Sequence, residues 1–159
     1  MGVFYLNNAA LLVKRGVILA GVLLLRFTSI SRKPMIIALC IRMIISLDHI
    51  QLALPAGAED LLRPFYALLG LTEVLKPAPL VGRGGFWMRA GNLSVHFGVD
   101  PTFAPATKAH PAFVVSDIDH LAERLVAAGY DISWDTKLVD VRRFFVFDPV
   151  GNRIELIAS

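Results

Sequence analysis

Four side chains able to bind a metal ion fall at matched positions of a doubled pattern. His49 and His110 stand 61 residues apart, each near the start of an apolar, strand-like run. His96 and Glu155 stand 59 apart, each in a run that follows a Gly-Asn turn, Gly91-Asn92 and Gly151-Asn152. Imidazole and carboxylate are donors from which sites for divalent ions are built. Two curved half-sheets related by pseudo-symmetry would bring all four to one concave surface. Each residue also has a plainer reading. His49 and His110 could cap a turn or hydrogen-bond a loop, and Glu155, set between Ile154 and Leu156, could be a solvated outer-face residue. Their joint register favours the metal site.

The elements that would carry them follow from periodicity. Leu47–Leu54 alternates as a strand and ends at Pro55-Ala56-Gly57. Residues 59–69 place Leu61, Leu62, Phe65, Leu68 and Leu69 at helical spacing before Gly70, and Pro64 predicts that the regular helix starts close to it. A short strand, Leu71–Leu75, precedes a Pro/Gly-rich connection. Phe86–Arg89 and Leu93–Val99 then form a hairpin around Ala90-Gly91-Asn92. After a loop, the order repeats: strand Pro111–Val115, helix Ile118–Ala128, strand Tyr130–Trp134 and a final hairpin. Asp148-Pro149-Val150-Gly151-Asn152 turns that hairpin between Arg143–Phe147 and Arg153–Ile157.

Charge divides the chain. Residues 1–46 contain six of the 16 basic residues and none of the 13 acidic ones, so the rest is on balance acidic and has no basic stripe for nucleic acid. Cys40 is the only cysteine, which excludes a disulfide framework and a cysteine-based zinc site. The first 46 residues hold two apolar runs, Gly16–Leu25 and Met35–Ser46, bracketed or broken by cations. Neither reaches the length of about 20 apolar residues that a spanning helix needs. Three readings stand: an over-extended start with Met35 or Met43 as initiator, a membrane anchor, or a targeting segment. The abrupt onset of the globular pattern after Met43 favours the first, with a cytoplasmic body. Membrane association would arise only through residues 1–46.

From Leu47 to Ser159 the chain resembles the vicinal oxygen chelate superfamily, the group of glyoxalase I, bleomycin-resistance proteins and type I extradiol dioxygenases. Leu47-Asp48-His49-Ile50, Phe65-Tyr66-Ala67-Leu68-Leu69-Gly70-Leu71, His110-Pro111-Ala112-Phe113-Val114-Val115 and Asp148-Pro149-Val150-Gly151-Asn152-Arg153-Ile154-Glu155-Leu156 carry the resemblance. It implies an α+β domain of two βαβββ units forming an open, incomplete barrel around a cavity. It also implies a homodimer with the site near the interface.

By the same resemblance, metal ligands come from the first and last strands of each half: His49, His110, Glu155 and, at the fourth-strand position, His96. Glyoxalase I usually has a carboxylate at that fourth position, so His96 is either a third imidazole ligand or a neighbour of a two-His, one-carboxylate set. The implied cofactor is a divalent metal (nickel, cobalt, manganese, iron or zinc) acting as a Lewis acid on a small substrate with two adjacent oxygens. Glu155 would be both ligand and proton carrier. Gln51 shares the strand face of His49, and the resemblance turns Arg143 and Phe145 toward the cavity, making all three candidate substrate contacts. Arg142 points outward, His120 reads as surface, and Trp87 and Phe147 read as core. Two other readings belong to the same family: a metal-free, bleomycin-resistance-type binding protein, and a fosfomycin-type thiol transferase.

Overall fold

The computed structural model describes residues 24–25, 37–38 and 43–159. The chain divides into two compact units, Met1–Ser46 and Leu47–Ser159. In the first, Leu24–Leu25 pairs antiparallel with Ile37–Ala38; the readings that rest on residues 1–42 otherwise lie outside the described residues. No helix among the described residues is long and apolar enough to cross a membrane.

The second unit repeats one order of elements. Its first half runs β1 (Ile50–Leu54), α1 (Glu59–Leu68), β2 (Thr72–Val74), a single 3-10 turn (Ala78–Leu80), β3 (Phe86–Ala90) and β4 (Leu93–Val99). Its second half runs β5 (Ala112–Val115), α2 (Ile118–Ala127), β6 (Ile132–Asp135), β7 (Arg143–Phe147) and β8 (Arg153–Ala158). Each half builds a four-stranded sheet, ordered β1-β4-β3-β2 and β5-β8-β7-β6. In each, the first strand pairs parallel with the last and the remaining pairs are antiparallel. The sheets do not close into a barrel. The α+β fold read from the sequence is therefore the fold observed.

Alternation sends one face of each strand into an apolar core. Leu54, Phe86, Met88, Val95 and Phe97 from the first sheet join Leu62, Phe65 and Tyr66 of α1. Phe113, Phe144, Val146, Ile154 and Leu156 from the second join Ile118, Leu121 and Leu125 of α2. Each of these fully buried side chains contributes about 1.5–3 kcal/mol relative to leaving it exposed. Phe86 stacks on Phe97 at 4.3 Å, and Phe65 meets Tyr130 edge-on at 4.9 Å.

Two expectations need correction. Helix α1 does not start at Pro64 but at Glu59, because the Ala58 carbonyl accepts from Leu61 and Leu62 and seeds a first turn. Pro64 lies inside the helix, and the one backbone bond its missing N–H costs is that to the Asp60 carbonyl. Phe147 is not core: it is 58% exposed, because the register that buries Phe144 and Val146 turns Phe145 and Phe147 to the open face.

The two halves are tied by the turn before β8. Asp148 is buried and accepts four hydrogen bonds. Oδ1 takes the N–H groups of Val150 (3.0 Å) and Asn152 (2.8 Å), and Oδ2 takes the Tyr66 hydroxyl and the Asn152 amide (both 2.9 Å). Gly151 supplies the positive φ, +94°, that the turn requires. Asn152 also donates to the carbonyl of Ala53 on β1, at 3.0 Å.

Burial, and after it the Asp148 charge, push the Tyr66 hydroxyl well above the usual tyrosine value. A raised value stabilises the fold at every pH below that of an unfolded tyrosine, about 10, and the contribution is lost as pH climbs through the folded value. Tyr66→Phe should cost about 1–3 kcal/mol, read as a melting temperature several degrees lower at pH 7. Above about pH 10 the wild-type melting temperature should fall more steeply than that of the variant.

Candidate functional site

On the open face of the second sheet, β8 presents Arg153, Glu155 and Ile157 while Ile154 and Leu156 go to the core. Glu155 nevertheless is only 5% exposed, because neighbouring side chains close over its carboxylate. Arg143 on β7 donates Nη1–H to Oε1 at 2.7 Å, and His110, just ahead of β5, sets Nε2 2.9 Å from Oε2. Arg143 also donates Nη2–H to Asp135 Oδ2 at 2.6 Å, through the cross-strand pair of β6 with β7. A chain of alternating charge, Asp135–Arg143–Glu155, thus leads to the His110 ring. The Lys137 backbone N–H, and after it Arg143, hold Asp135 below the usual carboxylate value, and Asp135 in turn raises Arg143.

The far nitrogen of His110 constrains the near one. Nδ1 lies 2.7 Å from the Lys108 carbonyl, which can only accept, so Nδ1 carries a proton. In a neutral ring, Nε2 then offers a lone pair toward a carboxylate that offers another. That contact requires either a second ring proton or a cation shared by the two groups. The 2.9 Å separation is that of a charge-assisted hydrogen bond, and it also leaves the two groups near enough to serve one ion together. A backbone carbonyl on the rear nitrogen and a cation on the rear carboxylate oxygen are the supports that metal ligands use. The donor pair fits a divalent ion.

The first sheet carries the other pair. His96 on β4 lies between two rings, stacked on Trp87 at 3.8 Å and on His49 at 4.1 Å. His49 Nδ1 donates to Asp48 Oδ1 at 2.7 Å, a bond that holds Asp48 below the usual carboxylate value. Trp87, read as core from the sequence, is instead a half-buried member of this open-face stack, because β3 pairs it directly with His96. Desolvation, and after it the His49 charge, lower His96 below the ordinary histidine value.

Within one chain the four expected ligands therefore fall into two pairs, His49 with His96 and His110 with Glu155. Among the described residues no group of three metal-capable side chains converges. His96 is engaged by ring faces, with no contact to His110 or Glu155 among those identified. Arg143 departs from its expected part: two carboxylates take Nη1 and Nη2, and Nε is buried without a partner, so little is left for a substrate anion. Phe145 lies beside the site, its ring edge-on to His110 at 5.6 Å. His120 is exposed and Arg142 pairs outward with Asp119.

A cavity of about 340 Å³ opens beside His110, between β1 and the strand starts at Pro111 and Arg153. Gln51 lines it, its amide lying over Gly98, where a Cβ would come within 2.8 Å of Nε2. Arg153 lines it too, stacked on Phe145 at 3.8 Å. Sequence reading passed over Arg153, although its place two residues before Glu155 puts both on one strand face. Asp135 was out of reach, since only the register of β6 with β7 brings it to Arg143. A larger cavity, about 430 Å³, lies at Glu73–Lys76 and Gly82–Phe86 and contains none of these residues.

Residues 46–156 match the family model for the Glyoxalase/Bleomycin resistance protein/Dioxygenase superfamily. A solved glyoxalase family protein from Bacillus anthracis is 43% identical, with a TM-score of 0.71 over 74% of this chain and 98% of its own. The fosfomycin resistance protein FosX from Listeria monocytogenes is similar at 19% identity and a TM-score of 0.59, over 74% of this chain and 95% of its own. A bleomycin-binding protein complexed with bleomycin is similar at 18% identity and 0.56, over 72% and 99%. At these last identities the likeness is one of fold. No match was found among curated proteins. The chain belongs to the Glyoxalase/Bleomycin resistance protein/Dioxygenase superfamily.

The ring stack makes a prediction of its own. In a pH titration followed by NMR, His96 should titrate below the ordinary histidine value, about 6.5. Trp87→Leu, which uncovers one ring face, should raise it. A lowered value means that the fold keeps this contribution above the unfolded value and loses it as pH falls through the folded one.

Proposed function

We propose that this member of the superfamily is a metalloprotein. Its divalent ion would be held by His110 and Glu155 of one chain and by His49 of a second copy, next to a small substrate carrying two adjacent oxygens. One observation supports the reading: with Nδ1–H committed to the Lys108 carbonyl, His110 Nε2 and Glu155 Oε2 face each other at 2.9 Å, near enough to turn to one shared ion. Superfamily members are often dimers that bind small molecules. A second copy is a natural source of the missing donor, since His49 is half-exposed with its rear nitrogen already fixed by Asp48.

When bound, a divalent ion supplies Lewis-acid polarisation of a vicinal oxygen pair. The chain's own groups do the rest. Arg143 holds Glu155 Oε1 and thereby keeps Oε2 directed at His110. Glu155 Oε2 is then the oxygen that can take a proton from a substrate carbon beside a polarised oxygen and return it. Asp135 keeps the Arg143 guanidinium in place, and Phe145 screens this contact from one side. His96, neutral and stacked, orients His49 through its ring face and is not itself a ligand. A proton carried by Glu155 suits a lyase or isomerase step, and a dioxygenase-like reaction on the same vicinal oxygens is the second reading of this site.

Metal analysis of the full chain purified without chelator tests this. About one divalent ion per chain is expected, lost in His110→Ala and in Glu155→Gln with the circular dichroism spectrum unchanged. His49→Ala should lose it as well while the chain stays dimeric. Arg143→Met should weaken binding roughly 10–100-fold, as loss of a support behind a ligand does. No metal after reconstitution with nickel, cobalt, manganese, iron and zinc would sink the metalloprotein reading.

A further inference from the structure

We infer that the cavity beside His110 is an anion-binding pocket, and that Arg153 selects substrates bearing a carboxylate or phosphonate. The inference takes from the proposed function only that this cavity receives the substrate. It deepens that reading by naming the class of molecule.

Of the two arginines nearest the site, only Arg153 is free to meet an anion. Arg143, the expected anion contact, has given Nη1 and Nη2 to Glu155 and Asp135. Arg153 makes no ion pair or hydrogen bond among the described residues. Its guanidinium carbon lies over the Phe145 ring, 3.8 Å from the centroid, a contact with the ring face that leaves its N–H donors unspent. It is half-buried and lines the cavity together with Gln51 and His110.

The lining completes the case. No aspartate or glutamate belongs to it, and the amide of Asn152 is already committed to Asp148 and to Ala53. The walls are otherwise aliphatic, from Ile50 and Leu52 to Ala104 and Ala109. Gln51 adds a neutral amide, free of hydrogen bonds among the described residues, whose position over β4 depends on Gly98 having no side chain. An apolar pocket with one forked cation, one amide and no acid fits a small molecule with an apolar body and an anionic end. A planar guanidinium fork suits carboxylate and phosphonate alike, and binds them more strongly than a neutral isostere.

Calorimetric titration of the full chain with benzoate, phenylphosphonate and the neutral benzamide tests this, in chelator so that no metal contributes. Benzoate, phenylphosphonate or both should bind at least about tenfold more tightly than benzamide, and whichever is tighter names the anion. Arg153→Met should abolish the preference, and Arg153→Lys should keep part of it. Gly98→Ala, which displaces only the flexible end of Gln51, should weaken binding in a protein that melts normally. This variant, with Arg153→Lys, decides the matter even if Arg153→Met fails to fold. Equal binding of benzamide and both anions, or a preference unchanged in the Arg153 variants, overturns the inference. Metal content of chain purified without chelator separates the two readings: anion preference without metal sinks only the metalloprotein, and metal without anion preference sinks only this pocket.

Discussion

The buried carboxylate of Asp148 is the constraint on which the second unit depends. It stands at the foot of β8 and gathers four donors, three from its own turn and one, the Tyr66 hydroxyl, from a helix in the other half. A buried carboxylate without donors would be costly. Its full satisfaction therefore specifies one arrangement of the halves rather than many. The same turn sends Asn152 to the β1 backbone, so first and last strands of the unit are fixed to each other from one point. Glu155 sits three residues beyond it, and the position of its carboxylate is inherited from that anchor.

The repeat uses one scaffold for two kinds of chemistry. In each half the last strand lies beside the first, so a residue near the start of one and a residue on the other become neighbours. In the first half this yields a stack of rings, with His96 held below the ordinary histidine value by desolvation and, after it, by His49. In the second it yields alternating charges ending at an imidazole whose tautomer is set by a backbone carbonyl. Neither half holds three donors alone. One set offers imidazole nitrogen, the other a carboxylate and a further nitrogen.

Much of this was legible in the sequence because it depends on local pattern. Alternation across Arg143–Phe147 and Arg153–Ile157, and helical spacing over Ile118–Ala128, predict strands and a helix within a few residues of those observed. The doubled spacing of His49, His96, His110 and Glu155 likewise predicts the repeated order of elements. Contacts made across strands were not legible. Nothing local to Arg143 reveals that Asp135 will oppose it, so a residue that looked free for an anion proves to be occupied. Trp87 failed for the same reason: its apolarity suggests the core, and only its register with His96 gives it an open-face partner. Arg153 was readable by parity with Glu155, but its freedom emerges only once the other cations are accounted for.

The order β5-β8-β7-β6 places the C-terminal strand inside its sheet rather than at the edge. Strand β5 has no other strand neighbour, so it stays unpaired until β8 slots in beside it. Assembly of this half must wait for a contact between segments distant along the chain, the kind of closure that makes folding slow. Glu155 arrives on the strand that completes the sheet. An intermediate lacking β8 would display His110 without its acid, and would also display the bare hydrogen-bonding edges of β5 and β7, surfaces that invite pairing with other chains. Maturation of the site and protection from self-association are thus a single event.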